Sequence, residues 1–377
     1  MLRAWALGAL LALVTAPPAG GQSTVDLVIA ATTDVHGRLR GWDYYAGRED
    51  RDRGLSRAAT VIDSLRAAHP DRLVLVDAGD LLQGNPLTYV AARIAPQPVH
   101  PVIAAMNALR YDAAVIGNHE FNYGLPLLDS ALTRSTVPFL GANIYRADGS
   151  RRAYPGYVLV RRAGVTIGLV GLTTPGAMVW DRDFLQGRVV IKDIVPEAQR
   201  VVDEARAAGA DVVVAVMHSG LGEPTSYDTS RGLGAENVAA RVAMDTKGLD
   251  LIVYGHSHRE MADTVIGRTT LVQPRNFAAN VAVATLTVEQ DGAGRWQVTR
   301  KRGRLVSAAG QPEQAAVVAA TAAAHDATQA YVSKPIGTTA VAWRADSARV
   351  VDLPITDFVL EVMRRTAKAD LAAGAAF

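Results

Sequence analysis

With 377 residues, 49% of them hydrophobic and 20% charged, and a net charge of +2, the chain reads as a globular protein of one large domain or two ordinary ones. So small a charge, with no basic run and no acidic tail, argues against a nucleic-acid polymer or an anionic membrane as partner. Cysteine is absent; disulfides and thiolate ligands are excluded, and any metal must be held by His, Asp, Glu, Asn or backbone oxygens.

The first element is "MLRAWALGALLALVTAPPAGGQS", a positive start, a short apolar stretch and a run of small residues. It is too short for a bilayer span of about 20 apolar residues. It suits a secretory signal over residues 1–21, with a buried N-terminal helix as the alternative. The expected protein is exported, periplasmic or secreted, without a membrane anchor.

From residue 24 to about 308 strands and helices alternate. "VDLVIAATT" (25–33), "RLVLVDA" (72–78), "DAAVIG" (112–117), "VTIGLVGLT" (165–173), "DVVVAVMHS" (211–219) and "DLIVYGHS" (250–257) read as strands. Several are apolar throughout, as strands covered on both faces must be. Helical patterns such as "LSRAATVIDSLRAAH" and "VPEAQRVVDEARAAG" lie between them, so the fold class is α/β and layered. After about 260 the runs shorten and alternate, as antiparallel strands do. An Ala-rich helix is expected within 309–334 as a connector. Residues 335–377 then carry a strand near 336–343 and a helix at "PITDFVLEVMRRTAKAD", too little for a core of their own. They read as the incomplete start of a second, α+β domain.

Five of the eight histidines follow these strands directly. Asp34 and His36 stand in "TTDVHG", Asp80 in "VDAGDLLQGNP", Asn118 and His119 in "GNHEFNYG", His218 in "AVMHSG", and His256 and His258 in "YGHSHRE". In extended backbone, residues two apart leave on one face, which pairs Asp34 with His36 and His256 with His258. The carboxyl ends of strands in an open α/β sheet are where ligands bind. Two Asp, one Asn and four His suffice for two divalent metals sharing a bridging carboxylate. Imidazole suits Zn, Fe, Co or Mn, and the oxygens keep Mn possible. His69, His100 and His325 lie in helix or loop contexts and read as packing or surface residues.

In order and spacing, D-x-H, G-D, G-N-H-E, H and G-H-x-H resemble the signature blocks of the calcineurin-like metallophosphoesterases. "TTDVHG…WDYY", "GDLLQGNPL", "HPVIAAMNALRYD", "GNHEFNYGL" and "AVMHSGL" are similar to the bifunctional 2′,3′-cyclic-nucleotide 2′-phosphodiesterase/3′-nucleotidase branch of the 5′-nucleotidase family. The resemblance implies a four-layer α/β/β/α sandwich with a two-metal site. It implies that Asp34, His36 and His258 hold one metal, that Asn118, His218 and His256 hold the other, and that Asp80 bridges them. His119 is then the catalytic histidine beside the phosphate. It further implies that a 2′,3′-cyclic nucleotide is opened to a 3′-nucleotide, which is hydrolysed to nucleoside and phosphate, and that residues clamping the base come from the second domain.

One position departs from many 5′-nucleotidases, which carry Asp three residues after the catalytic histidine; here it is Asn122. A carboxylate there favours a charged imidazole, whereas an amide only orients the ring. Glu120 has no firm role beyond a structural hydrogen bond. The competing readings are a 5′-nucleotidase or UDP-sugar hydrolase on the same scaffold, a more distant thiosulfohydrolase, and a non-catalytic binding protein that keeps the fold.

Overall fold

The structure is a computed structural model and describes residues 23–230 and 232–374; the expected signal segment at 1–21 lies outside them. Strand β1 (Thr24–Thr32) shows how the layers arise. Its alternate residues leave on opposite faces. Leu27, Ile29 and Ala31 point into a core between two sheets, while Val28 and Ala30 join a second core under the flanking helices.

The other sheet strands are β2 (Leu73–Asp77), β3 (Ala113–Val115), β4 (Phe139–Leu140), β5 (Tyr157–Arg162), β6 (Val165–Thr173) and β7 (Val212–His218). They continue as β8 (Leu251–Tyr254), β9 (Met261–Ile266), β10 (Thr269–Gln273), β11 (Asn280–Gln290) and β12 (Trp296–Ser307). One sheet runs β12-β11-β1-β2-β3-β4 and the other β9-β10-β8-β7-β6-β5. Strands β1 to β4 pair in parallel, as do β6, β7, β8 and β10. The run after 260 is divided between the sheets. β9 pairs antiparallel with β10 on the second sheet, whereas β11 and β12 close the first.

Val74, Val76, Val214, Val216 and Val253 fill the space between the sheets. Helix α1 (Leu55–Ala68) covers the outer face of the first sheet with Leu55, Ala58, Ile62 and Leu65. Helix α2 (Ile194–Ala207) covers the second with Ile194, Ala198, Val201, Val202 and Ala205, a stripe at helical spacing. Asp193 starts α2 by accepting a hydrogen bond from Val195 N–H. Each fully buried Val or Ile side chain contributes roughly 1.5–3 kcal/mol, and three such cores give the α/β/β/α order.

The chain divides into two compact units, the second beginning at Ser333. The Ala-rich helix α3 (Ala315–Val332) belongs to the first. It buries Val317, Thr321, Ala324 and Thr328, and its His325 Nδ1 lies 2.6 Å from Tyr44 Oη. The second unit carries a helix at Pro354–Ala367, none of whose residues is buried. Residues 336–343 form no strand, contrary to the sequence expectation, because the run finds no strand to pair with and a lone strand has no ladder to hold it.

Candidate metal centre

The parallel strands of both sheets end at one place. β1 stops at Thr32, and Asp34 and His36 follow it with φ of 49° each. β8 stops at Tyr254, and His256 and His258 follow with φ of 75° and 55°. Asp80, past the end of β2, has φ of 62°. The extended D-x-H and H-x-H geometry expected from spacing is therefore wrong: these side chains stand on left-handed backbone, which costs an L-residue roughly 1–2 kcal/mol.

Fixed partners hold the strain. Asp34 N–H donates to Gly79 O and His36 N–H to Asp80 O, both at 2.9 Å. His256 N–H donates to Asp34 Oδ2 at 3.0 Å and His119 N–H to Asp80 Oδ1 at 2.8 Å. Two glycines permit the close approach. A Cβ on Gly117 would collide with Asp80 Oδ1, and one on Gly255 with Thr33 Oγ1 and Asp34 Oδ2.

All seven expected ligands and His119 come together. His36 Nε2 and His258 Nε2 lie 3.0 Å apart, with Asp34 Oδ1 3.4 Å from the latter. Asp80 Oδ2 lies 3.0 Å from His218 Nε2 and 3.9 Å from both His36 Nε2 and His119 Nε2. His218 Nε2 is in turn 3.1 Å from Asn118 Oδ1 and 3.3 Å from His256 Nδ1. Asp34 with His36 and His258 could hold one cation, and Asp80 with His218 and His256 another. His69, His100 and His325 belong to none of these groups.

The donor chemistry fits a cation. His36 Nδ1–H donates to the carbonyl of Gln83 at 2.7 Å and His218 Nδ1–H to that of Ala78 at 2.8 Å. A carbonyl cannot donate, so each ring carries a proton on Nδ1 and, once Nε2 gives up its own proton to a cation, presents the Nε2 lone pair to the shared space. His256 is turned the other way: its Nε2–H donates to Glu236 Oε1 at 2.8 Å, leaving Nδ1 inward. Burial would raise the carboxyl of Asp80, but the imidazoles of His218, His119 and His36 hold it well below the usual range. Burial would lower His218, but the carboxylates of Asp80 and Asp34 push it up to about 10. Lone pairs and buried carboxylates facing one another make a field that a divalent cation satisfies better than a proton.

Supporting groups surround these side chains, and the first two were already singled out in the sequence. Glu120, fully buried, accepts from the backbone N–H of Asp80, Leu81, Leu82 and Gly117 at 2.6–3.0 Å, and so fixes the Asp80 loop against the Asn118 loop. Asn122 Oδ1 accepts from His119 Nδ1–H at 2.5 Å, and its Nδ2–H donates to Asp181 Oδ1 at 2.8 Å. Trp180 stacks on His256 at 5.7 Å. Phe277, itself at φ 62°, meets the edges of His36 and His258 at 5.8 and 6.2 Å. Glu236, Asp181 and Phe277 in loops and turns, and Trp180 at the end of a single helical turn, show no metal-type spacing, so only the fold reveals them.

Fold and donor set together are those of a candidate divalent-metal centre. The calcineurin-like phosphoesterase family profile matches residues 27–260, and the chain belongs to that family. It is 35% identical over 368 residues to the 2′,3′-cyclic-nucleotide 2′-phosphodiesterase/3′-nucleotidase of Salmonella typhimurium, covering 89% of this chain and 56% of that one. It is 34% identical to the trifunctional nucleotide phosphoesterase protein YfkN of Bacillus subtilis, covering 92% of this chain and 25% of that one. The crystal structure of calcineurin-like phosphoesterase YfkN from Bacillus subtilis superposes with a TM-score of 0.76, over 83% of this chain and all of that one. The chain thus spans about half the length of the former relative and a quarter of YfkN.

Proposed function

We propose that the protein hydrolyses phosphate esters of nucleotides, opening a 2′,3′-cyclic nucleotide to the 3′-nucleotide and then releasing nucleoside and phosphate. The observation that carries this reading is the position of Asp80, whose carboxylate faces the His36, His119 and His218 rings at once. Asp34, His36 and His258 would hold one divalent cation and Asn118, His218 and His256 the other, with Asp80 shared. Such cations supply charge stabilisation for the phosphoryl oxygens and make a nucleophile available at neutral pH; Zn, Mn, Co or Fe suits the donors.

His119 delivers the leaving-group proton. Its Nδ1–H is held by Asn122 Oδ1, so the acid form is the imidazolium, whose second proton sits on Nε2 on the Asp80 side of the ring; that proton passes to the departing ribose oxygen and leaves the neutral Nδ1–H ring. Glu120 keeps the loops that carry Asp80 and His119 in register. Phe277 packs against His36 and His258 on one side.

The test is a substrate panel with added Mn²⁺, Zn²⁺ or Co²⁺: 2′,3′-cAMP, 3′-AMP, 5′-AMP, UDP-glucose and bis-p-nitrophenyl phosphate. Turnover of the first two above the rest is expected. Preference for 5′-AMP or UDP-glucose would assign the chain to the 5′-nucleotidase reading; a snake venom 5′-nucleotidase of Naja atra is 30% identical over 343 residues. No metal-dependent turnover of any member would leave a binding protein on this scaffold. Base-clamping residues are expected outside residues 24–308, so small aryl esters should turn over with higher kcat/KM than nucleotides. Export to the periplasm or medium belongs to the same proposal; among the described residues no helix is long and apolar enough to cross a membrane.

A further inference from the structure

Asp181 lies between two single helical turns, Ala177–Trp180 and Arg182–Leu185. Both turns are fixed: Asp181 N–H donates to Ala177 O, and Leu185 N–H to Asp181 O, with Ala177 and Leu185 fully buried. An Asp at the start of a helical turn ordinarily accepts from the backbone N–H groups that follow it. Asp181 makes no such cap. Its carboxylate turns instead to Asn122, 59 residues away in sequence. The second oxygen, Oδ2, is buried without a partner. Phe184 N–H and Leu185 N–H are taken by the Asp181 carbonyl, and a carboxylate that served only the local turn would accept from Asp183 N–H.

We propose that Asp181 is a positioning residue that sets the proton arrangement of His119 through the amide of Asn122. The two ends of an amide have the same shape, and only their partners decide which end points where. An ionised carboxylate accepts and cannot donate. Facing Asp181 Oδ1 at 2.8 Å, the amide must therefore present Nδ2–H outward and Oδ1 to His119. With an acceptor at 2.5 Å, His119 Nδ1 must carry its proton, and Nε2 becomes the atom that exchanges protons with the reacting ester. Without Asp181 the amide is free to turn over, donate to Nδ1 and move the ring proton to Nε2. The carboxylate that a simple His–Asp pair would place at residue 122 thus stands one residue further out, and an amide transmits orientation in place of charge.

The inference rests on the phosphoesterase reading for its kinetic consequence, and its direct readout does not. In ¹⁵N-histidine-labelled protein, with and without added Zn²⁺, His119 is expected as a single Nδ1–H form, and Asp181→Ala is expected to give a mixture of ring forms. The kcat of Asp181→Ala on the preferred ester should fall roughly 10- to 100-fold, with KM within about twofold. Asn122→Asp alone places two carboxylates 2.8 Å apart and should also lose activity. The double variant Asn122→Asp/Asp181→Asn rebuilds an acceptor at His119 and a donor behind it, and should recover at least about tenfold over the Asn122→Asp single variant. An unchanged His119 signature and kcat in Asp181→Ala would overturn the proposal. So would a double variant no better than Asn122→Asp, which keeps the test decisive should Asp181→Ala fail to fold. If the unaltered protein turned over no ester, the functional reading would fall, while the ring-form measurement would still decide the role of Asp181.

Discussion

His218 and His100 are both buried, yet their surroundings drive them in opposite directions. His218, at the end of β7, meets Asp80 at 3.0 Å and is pushed up to about 10. His100, ahead of the helix Pro101–Leu109, has no carboxylate beside it, and burial alone brings it down to about 4. Burial does not make a histidine a ligand. The carboxylates converging on it make it a candidate, by building a field that requires positive charge.

The comparison breaks most completely at Asp80. Asp80→Asn removes the charge that distinguishes His218 from His100 and that faces His36, His119 and His218 at once, and under the proposed function it removes the shared carboxylate. Turnover is expected to fall at least about 10³-fold, and elemental analysis should find at most one cation per chain. Full activity in that variant would show that Asp80 does not join the two groups. Next in size is Glu120, which holds four backbone N–H groups. Glu120→Ala leaves these donors buried and unpaired, and denaturant unfolding should show a loss of about 3 kcal/mol. A loss below about 1 kcal/mol would mean that water replaces the carboxylate and that the loops do not depend on it.

A third variant sharpens the contrast within the centre. His36 and His218 hang on backbone carbonyls, but His256 hangs on the side chain of Glu236, so its orientation is open to substitution where theirs is not. Burial would raise Glu236, yet His256 and the Ser226 N–H bring it down to about 2. The stabilising pair is therefore present above the ordinary carboxyl value of 4.5 and lost as pH falls from there through about 2. Glu236→Gln should weaken one cation site roughly 10- to 100-fold by metal titration and leave the Asp34, His36 and His258 group unaltered. Equal weakening of both sites would show that the two groups are one coupled unit.

The sequence carried the sheets and the gathering of the candidate side chains at their ends well because both obey short-range rules. Apolar runs such as "VVVAVMH" become strands, and a polar residue just past such a run lies at a strand end. What spacing could not carry was the backbone. Asp34 and His36 meet through a left-handed turn pinned by Gly79 and Asp80 carbonyls, a tertiary contact invisible in D-x-H. Glu236 and Asp181 were illegible for a related reason, since each supports its histidine or amide from a loop distant in sequence. The strand expected near 336–343 failed where the local pattern had no partner.

His100 itself gives the smallest effect and the cleanest control. Its Nδ1 accepts from Val102 N–H at 3.4 Å, capping the helix, and its Nε2 is buried without a partner. The fold therefore requires the neutral ring, whereas the unfolded chain takes up a proton near 6.5. Between these values the unfolded state binds more protons, so stability rises with pH. The contribution is full above 6.5 and is lost as pH falls from 6.5 toward about 4. His100→Asn keeps an oxygen that can cap the helix and removes the titration. The free-energy gap between the two proteins should then shift by about 1 kcal/mol between pH 7 and pH 5.5, in favour of the variant at the lower pH. The site histidines are common to both proteins and cancel in that difference. A gap that did not move with pH would mean that His100 is hydrated in the folded protein, and the contrast with His218 would then reduce to burial after all.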